Sequence, residues 1–141
     1  MIKEHEEIIS ETEKYIEDIK PDTQIEELLK NIETNKEATV KIYKGENEIS
    51  DSKEKLATGM RIETTLGEEK IIHTVIITGD ATGDGNSDLQ DMIKINTYRL
   101  FGNTTNLEWM YQKAADVNQD GKIDLQDMIK INAFRLFGIK F

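Results

Sequence analysis

Asp80-Ala81-Thr82-Gly83-Asp84-Gly85-Asn86-Ser87-Asp88-Leu89-Gln90-Asp91 returns 36 residues later as Asp116-Val117-Asn118-Gln119-Asp120-Gly121-Lys122-Ile123-Asp124-Leu125-Gln126-Asp127. The match runs beyond these twelve. Residues 80–102 and 116–138 align without a gap, 16 of the 23 positions are identical, and both copies close on Arg-Leu-Phe-Gly. After each acidic stretch, Met92, Ile95 and Leu100, and again Met128, Ile131 and Leu136, have the spacing of a helix core face. Two copies of one loop–helix unit, each with an apolar face, are expected to pack on each other.

The loops alternate oxygen-bearing side chains. Asp80, Thr82, Asp84, Asn86, Asp88 and Asp91 take positions 1, 3, 5, 7, 9 and 12 of the first. Asp116, Asn118, Asp120, Lys122, Asp124 and Asp127 take them in the second. Gly85 and Gly121 hold position 6, where the sharp turn requires a residue tolerant of positive φ. This pattern suits a hard cation that takes six to eight oxygens, and two Ca2+ ions are predicted, one per loop. Position 7 contributes its backbone carbonyl, so Lys122 is compatible with the pattern. Without metal, four carboxylates per loop would repel one another. The two sites are not expected to be equal. Thr82 offers only a hydroxyl at position 3, and Ser87 stands where Ile123 gives the second loop an apolar core, so the second is expected to bind more tightly.

Upstream the pattern changes. Lys14–Ile19 alternates apolar and polar residues and reads as a strand. Thr23 with Glu26 three residues on reads as a capping box opening a helix, whose stripe is Ile25, Leu28, Leu29 and Ile32. Strand-like runs follow at 38–43, 60–64 and 71–78, with turns at 44–47 and 66–69. Residues 13–78 are therefore expected to form a small α+β module, one helix with a short-stranded sheet, behind a frayed or disordered tail at 1–12. Residues 79–141 are expected to form a separate, all-α unit of two loop–helix repeats plus a short middle helix over 105–114, capped by Asn or Thr. Trp109 in that helix is read as packing rather than as a binding hot spot.

Composition narrows the function classes. Twenty-eight acidic residues against 18 basic give a net charge of −10, which argues against nucleic-acid and anionic-membrane partners. There is no cysteine, hence no disulfide framework, thiolate metal site or thiol nucleophile. No run of 18 apolar residues and no secretory leader is present, and the chain reads as an excised piece of a longer protein. His5 and His73 lack a partnering motif, and every well-placed carboxylate is already assigned to a loop. No catalytic residue and no small-molecule substrate are therefore assigned.

The near-copies Gly79-Asp80-Ala81-Thr82-Gly83-Asp84-Gly85 and Asp116–Gly121, with the repeated Asp-Leu-Gln-Asp-Met-Ile-Lys-Ile-Asn helices, resemble a type I dockerin. In that family each repeat is a calcium loop followed by a single helix. The resemblance covers residues 79–141, and Thr82 and Ser87 depart from it. It implies a non-catalytic, calcium-dependent module that binds a cohesin on a scaffold or cell-surface protein, as in cellulosomal polysaccharide degradation, in a secreted or cell-surface setting. It further implies recognition through Leu89, Gln90, Asn96, Thr97 and Phe101, and through Leu125, Gln126, Asn132, Ala133 and Phe137. Leu89 and Leu125 also stand out on physical grounds, as apolar residues at outward-pointing positions. The near-identity of the two sets implies binding in either of two orientations. Residues 13–78 resemble, more loosely, the X modules that precede dockerins. The alternative is an EF-hand-like sensor or a calcium-stabilised domain with no cohesin partner.

Overall fold

The computed structural model describes residues 3–5, 14–31, 38–102 and 107–141. The alternation in Lys14-Tyr15-Ile16-Glu17-Asp18-Ile19 does form a strand, β2 (Lys14–Ile19), and β1 (Lys3–His5) pairs antiparallel with it. Helix α1 (Ile25–Asn31) follows, then β3 (Thr39–Lys44), β4 (Asn47–Ile49), β5 (Arg61–Leu66) and β6 (Glu69–Ile77). The six strands make one sheet in the order β1-β2-β6-β5-β3-β4, parallel between β2 and β6 and antiparallel elsewhere. Gly45 and Gly67, both at φ +63, make the two hairpin turns expected there. The strand β1 lies where a tail was expected, and β4 was not anticipated.

Period two divides the sheet's side chains between two layers. One layer collects Ile16, Ile42, Ile62, Val75 and Ile77, closed by Ile25 and Leu28 of α1 with Leu56, Ala57 and Met60. Of the expected α1 stripe, Ile25 and Leu28 are buried and Leu29 is exposed, while Ile32 lies outside the described residues. Thr23 does not cap the helix: α1 begins at Ile25, and the Thr23 hydroxyl donates back to the Lys20 carbonyl at 2.7 Å. The first N–H groups of α1 instead donate to carbonyls of the 52–54 turn, Ile25 to Glu54 at 3.0 Å and Glu26 to Ser52 at 2.8 Å. A tertiary partner has taken the place of the local cap.

The opposite layer overturns the expected division into an α+β module and a separate all-α unit. The described residues form one mixed α/β structure with four helices. After β6 come α2 (Leu89–Phe101), α3 (Trp109–Ala115) and α4 (Leu125–Phe137). Helix α3 lies on the sheet, with Ala114 in a common core with Tyr15 and Ile76 that Trp109 and Met110 flank. Trp109 meets Tyr15 edge-on with centroids 5.9 Å apart, in keeping with the packing role expected of it, and Lys113 sits 4.5 Å from the centre of the same ring. The backbone ties the junction: Gly79 N–H donates to Ala114 O at 2.8 Å, and Thr78 N–H to Ile19 O at 2.9 Å. The expected Thr or Asn cap of this helix lies at 103–106, outside the described residues, and its N-cap is Glu108, whose side chain makes no capping bond.

Helices α2 and α4 pack as the repeat predicted, through Ile95 and Ile131 (both fully buried) with Ala81, Ala115 and Val117, and with Met92, Ile123 and Met128 at the margin. Leu100 and Leu136 do not join them. They are 58% and 53% exposed, because at about 100° per residue each lies about 140° around its helix from Ile95 or Ile131, on the outward side with Ile93 or Ile129.

Since Ile76 lies under α3, Ile76→Ala is expected to cost ~2–5 kcal/mol. In thermal unfolding, the sheet's circular-dichroism signal and Trp109 fluorescence should move down together. A fluorescence midpoint left in place would mean that α3 does not depend on the sheet.

Candidate metal centre

Each repeat helix begins at the acidic loop that precedes it. Asp88 is the N-cap of α2, accepting from Gln90 N–H at 3.1 Å, and Asp124 caps α4 in the same way at 3.0 Å. The position-12 carboxylates complete the capping boxes: Asp91 Oδ2 accepts from Asp88 N–H at 2.8 Å and Asp127 Oδ2 from Asp124 N–H at 2.9 Å. Their other oxygens reach across the loop to the N–H of position 3, Thr82 at 3.0 Å and Asn118 at 3.2 Å. One carboxylate thus starts the helix and closes the loop in both copies. Both position-6 glycines have positive φ, +85 at Gly85 and +86 at Gly121.

In the first loop Asp80 is fully buried and accepts four backbone N–H groups. Gly83 and Asp84 donate to Oδ1 at 2.9 and 3.0 Å, Gly85 and Thr58 to Oδ2 at 2.9 Å each. Thr58 belongs to the sheet region, and nothing in the loop pattern pointed to it. Thr82 is turned inward, its hydroxyl donating to Asp91 Oδ1 at 2.9 Å. Asp84 accepts from Asn86 N–H at 2.9 Å, and the Asn86 side chain meets the Lys55 ammonium. Carboxylate oxygens of Asp80, Asp84 and Asp91 all lie within 4.8 Å of one another, and among the described residues this is the one group of three so gathered.

That separation fits a cation. Oxygens at 2.3–2.6 Å from a calcium ion stand no more than about 5 Å apart across its sphere. The donors are hard oxygens with neither sulfur nor imidazole among them, which favours calcium or magnesium over the transition metals. Asp80, Asp84 and Asp91, with the loop's backbone carbonyls, are the groups that would hold it. A bound ion would neutralise a cluster of like charge in which Asp80 and Asp91 are buried and Asp84 is exposed.

The second loop is laid out alike but stands open. Asp116 accepts from Asp120 N–H at 3.2 Å and Gly121 N–H at 2.9 Å, both within its own loop, and Asp120 is exposed. Asn118 lies 3.3 Å from Asp120, and Lys122 donates its backbone N–H to Asp120 at 2.9 Å. Asp116, Asp120 and Asp127 are not drawn as close as the first loop's trio. The geometry therefore argues for the opposite order of affinity to the one expected from sequence, since the roofed first loop is better preorganised. Ser87 remains that loop's flaw: its hydroxyl is buried without a hydrogen-bond partner among the described residues.

Burial also separates the two sites electrostatically. Loss of hydration pushes Asp91 up to about 7, with the charge of Asp80 adding to the effect, and it raises Asp80 as well. Burial raises Asp116 and Asp127, whereas the Lys122 N–H bond lowers Asp120.

The residues proposed to meet a partner lie on α2 and α4, starting in the first turn beside the loop carboxylates Asp88 and Asp124. Leu89 and Leu125 are 51% and 54% exposed, Gln90 and Gln126 are exposed beside them, and Phe101 and Phe137 are outward at the far ends. Asn96 and Asn132 are half-buried and accept from Arg99 and Arg135 at 2.9 Å, the same pair in both copies. Thr97 donates to the Ile93 carbonyl at 2.8 Å, and Ala133 takes its place on α4. Sequence reasoning passed over Ile93 and Ile129, 51% and 59% exposed between the leucines and the phenylalanines. Their position one turn after Leu89 and Leu125 was the available signal.

No family model, curated protein or solved structure matches the chain.

Two outcomes are expected. A raised carboxylate pKa contributes stability that is full below about 4 and lost as pH rises through the folded value. The metal-free protein should therefore lose stability between pH 4 and about 7, and calcium should restore it most above 7. Thermal melts in chelator and in calcium across that range check this. In calcium at neutral pH, Asp80→Ala is expected to lower the melting temperature more than Asp116→Ala.

Proposed function

We propose that the chain is a non-catalytic, calcium-dependent docking module whose α2 and α4 bind a cohesin-type receptor, attaching its parent protein to a scaffold or cell-surface assembly. The observation that carries this reading is the duplicated surface. Each predicted calcium loop leads into a helix that turns Leu89, Ile93 and Leu100, or Leu125, Ile129 and Leu136, toward solvent. Six large apolar residues in two matching sets are more than scattered surface residues require, and contiguous apolar surface of this kind marks interaction sites. The dockerin-like loops, Leu-Gln steps and helix ends are consistent with it. The EF-hand sensor alternative requires apolar surface that is hidden until the ion arrives, whereas these side chains already point outward.

The sheet region leaves both Leu-Gln steps exposed, so each helix is available to lead the contact. This supports docking in either of two orientations related by a pseudo-two-fold rotation.

Incubation with cohesin-bearing surface proteins should give capture in calcium that is lost in EDTA. Changing Leu89 and Gln90 to alanine, or Leu125 and Gln126, should leave affinity within about tenfold, and changing all four should abolish it. Loss of binding from either pair alone would rule out the two orientations. Capture unaffected by EDTA would rule out calcium-dependent docking.

A further inference from the structure

The two loops share their chemistry and differ in what lies against them. Gly83 and Gly85 are pressed by the sheet region and α3. A Cβ at Gly83 would come within 2.9 Å of the Tyr111 ring and 3.1 Å of the Thr58 carbonyl, and one at Gly85 within 2.9 Å of the Leu56 carbonyl. A Cβ at Gly121 would meet nothing within 4 Å, and Gln119, the counterpart of Gly83, is exposed. The pressing segment is firmly held from behind. Leu56, Ala57 and Thr58 are buried, the Thr58 hydroxyl accepts from Ile77 N–H at 3.0 Å, and Gly59 N–H donates to Val75 O at 2.9 Å. From its front, Thr58 N–H reaches Asp80, and Lys55 bridges Asn86 to Asp22.

We propose that the first loop is a composite calcium site walled by the Lys55–Thr58 segment, so that calcium bound there fastens the helical pair to the sheet. The second loop, which starts at the C-cap of α3, has no hydrogen bond to that segment among the described residues. The inference rests on the calcium reading of the loops. Without the ion, the carboxylates of Asp80, Asp84 and Asp91 repel one another at the contact that Thr58 must hold, and with it that repulsion is removed. Linkage makes the effect reciprocal: whatever factor the wall adds to calcium affinity, calcium adds to closure of the wall. An ion at the first loop therefore acts on the join through the Lys55–Thr58 wall, while an ion at the second sits between the end of α3 and the start of α4, away from that wall.

The test uses the whole chain and amide hydrogen exchange by NMR, with calorimetry counting the ions. Asp84→Ala and Asp120→Ala are the matched variants, since both residues are exposed position-5 ligands and, among the described residues, neither is hydrogen-bonded to the Lys55–Thr58 segment. The Thr58 amide is followed against that of Ile42 in β3, which registers overall stabilisation. Calcium should slow Thr58 exchange relative to Ile42 by about tenfold or more, within the usual range of coupling between sites. Asp120→Ala should keep that slowing and Asp84→Ala should lose it. If wild type binds two ions while the Thr58-to-Ile42 ratio stays constant, or if the variants behave in the reverse order, the composite site is wrong and the calcium reading stands. If calorimetry finds no calcium bound to wild type, the calcium reading falls and the composite site with it.

Discussion

The buried carboxylate of Asp80 is the constraint on which the rest of the arrangement turns. A charged group cut off from water must be met by donors or by a counter-ion. Here three N–H groups of its own loop and one from Thr58 meet it. Because the fourth donor comes from the sheet region, the loop cannot keep its shape independently of the sheet. Because the other three come from Gly83, Asp84 and Gly85, the backbone must wind tightly around it, which sets the position of Asp91 and hence the start of α2. Layer, loop and helix meet at one side chain.

The acidic loops illustrate how one residue type can serve folding and ligation together. Asp88 and Asp124 are helix caps, and Asp91 and Asp127 are both capping-box partners and loop closures. These bonds form from the chain's own N–H groups, so the frame for a cation is in place through the same interactions that begin the helices. A cation would then relieve a like-charge cost and would not have to organise the loop.

Much of this was legible in the residues. The offset of 36 and the oxygen alternation identified both loops and the buried pair Ile95 and Ile131, and apolar runs bounded by turn residues identified the strands β2, β3, β5 and β6, because short-range periodicity and turn chemistry decide those features. What escaped depends on contacts between distant segments. Thr23 and Glu26 have a local capping pattern, yet carbonyls of Ser52 and Glu54 reach the helix first. Leu100 and Leu136 were grouped with the core face, yet, five residues on from Ile95 and Ile131, they fall on the outward side of each helix. The division into two modules failed because Ala114, Trp109 and Met110 bury against Tyr15 and Ile76, a match between surfaces that no window of sequence contains. Thr58 meets Asp80 through its backbone N–H, so its residue type carried no signal of that contact.

The tight cover over Gly83 and the open space at Gly121 give the two copies unequal freedom. The first copy's small residues would fit the second copy's open surroundings, but Gln119 transplanted to position 83 would collide with the Tyr111 ring and the Thr58 carbonyl. At this one position the two copies are interchangeable in one direction only. Drift since the duplication has room in the second loop and is hemmed in at the first, so the sequence that differs least from a common ancestor need not be the one in the more permissive place.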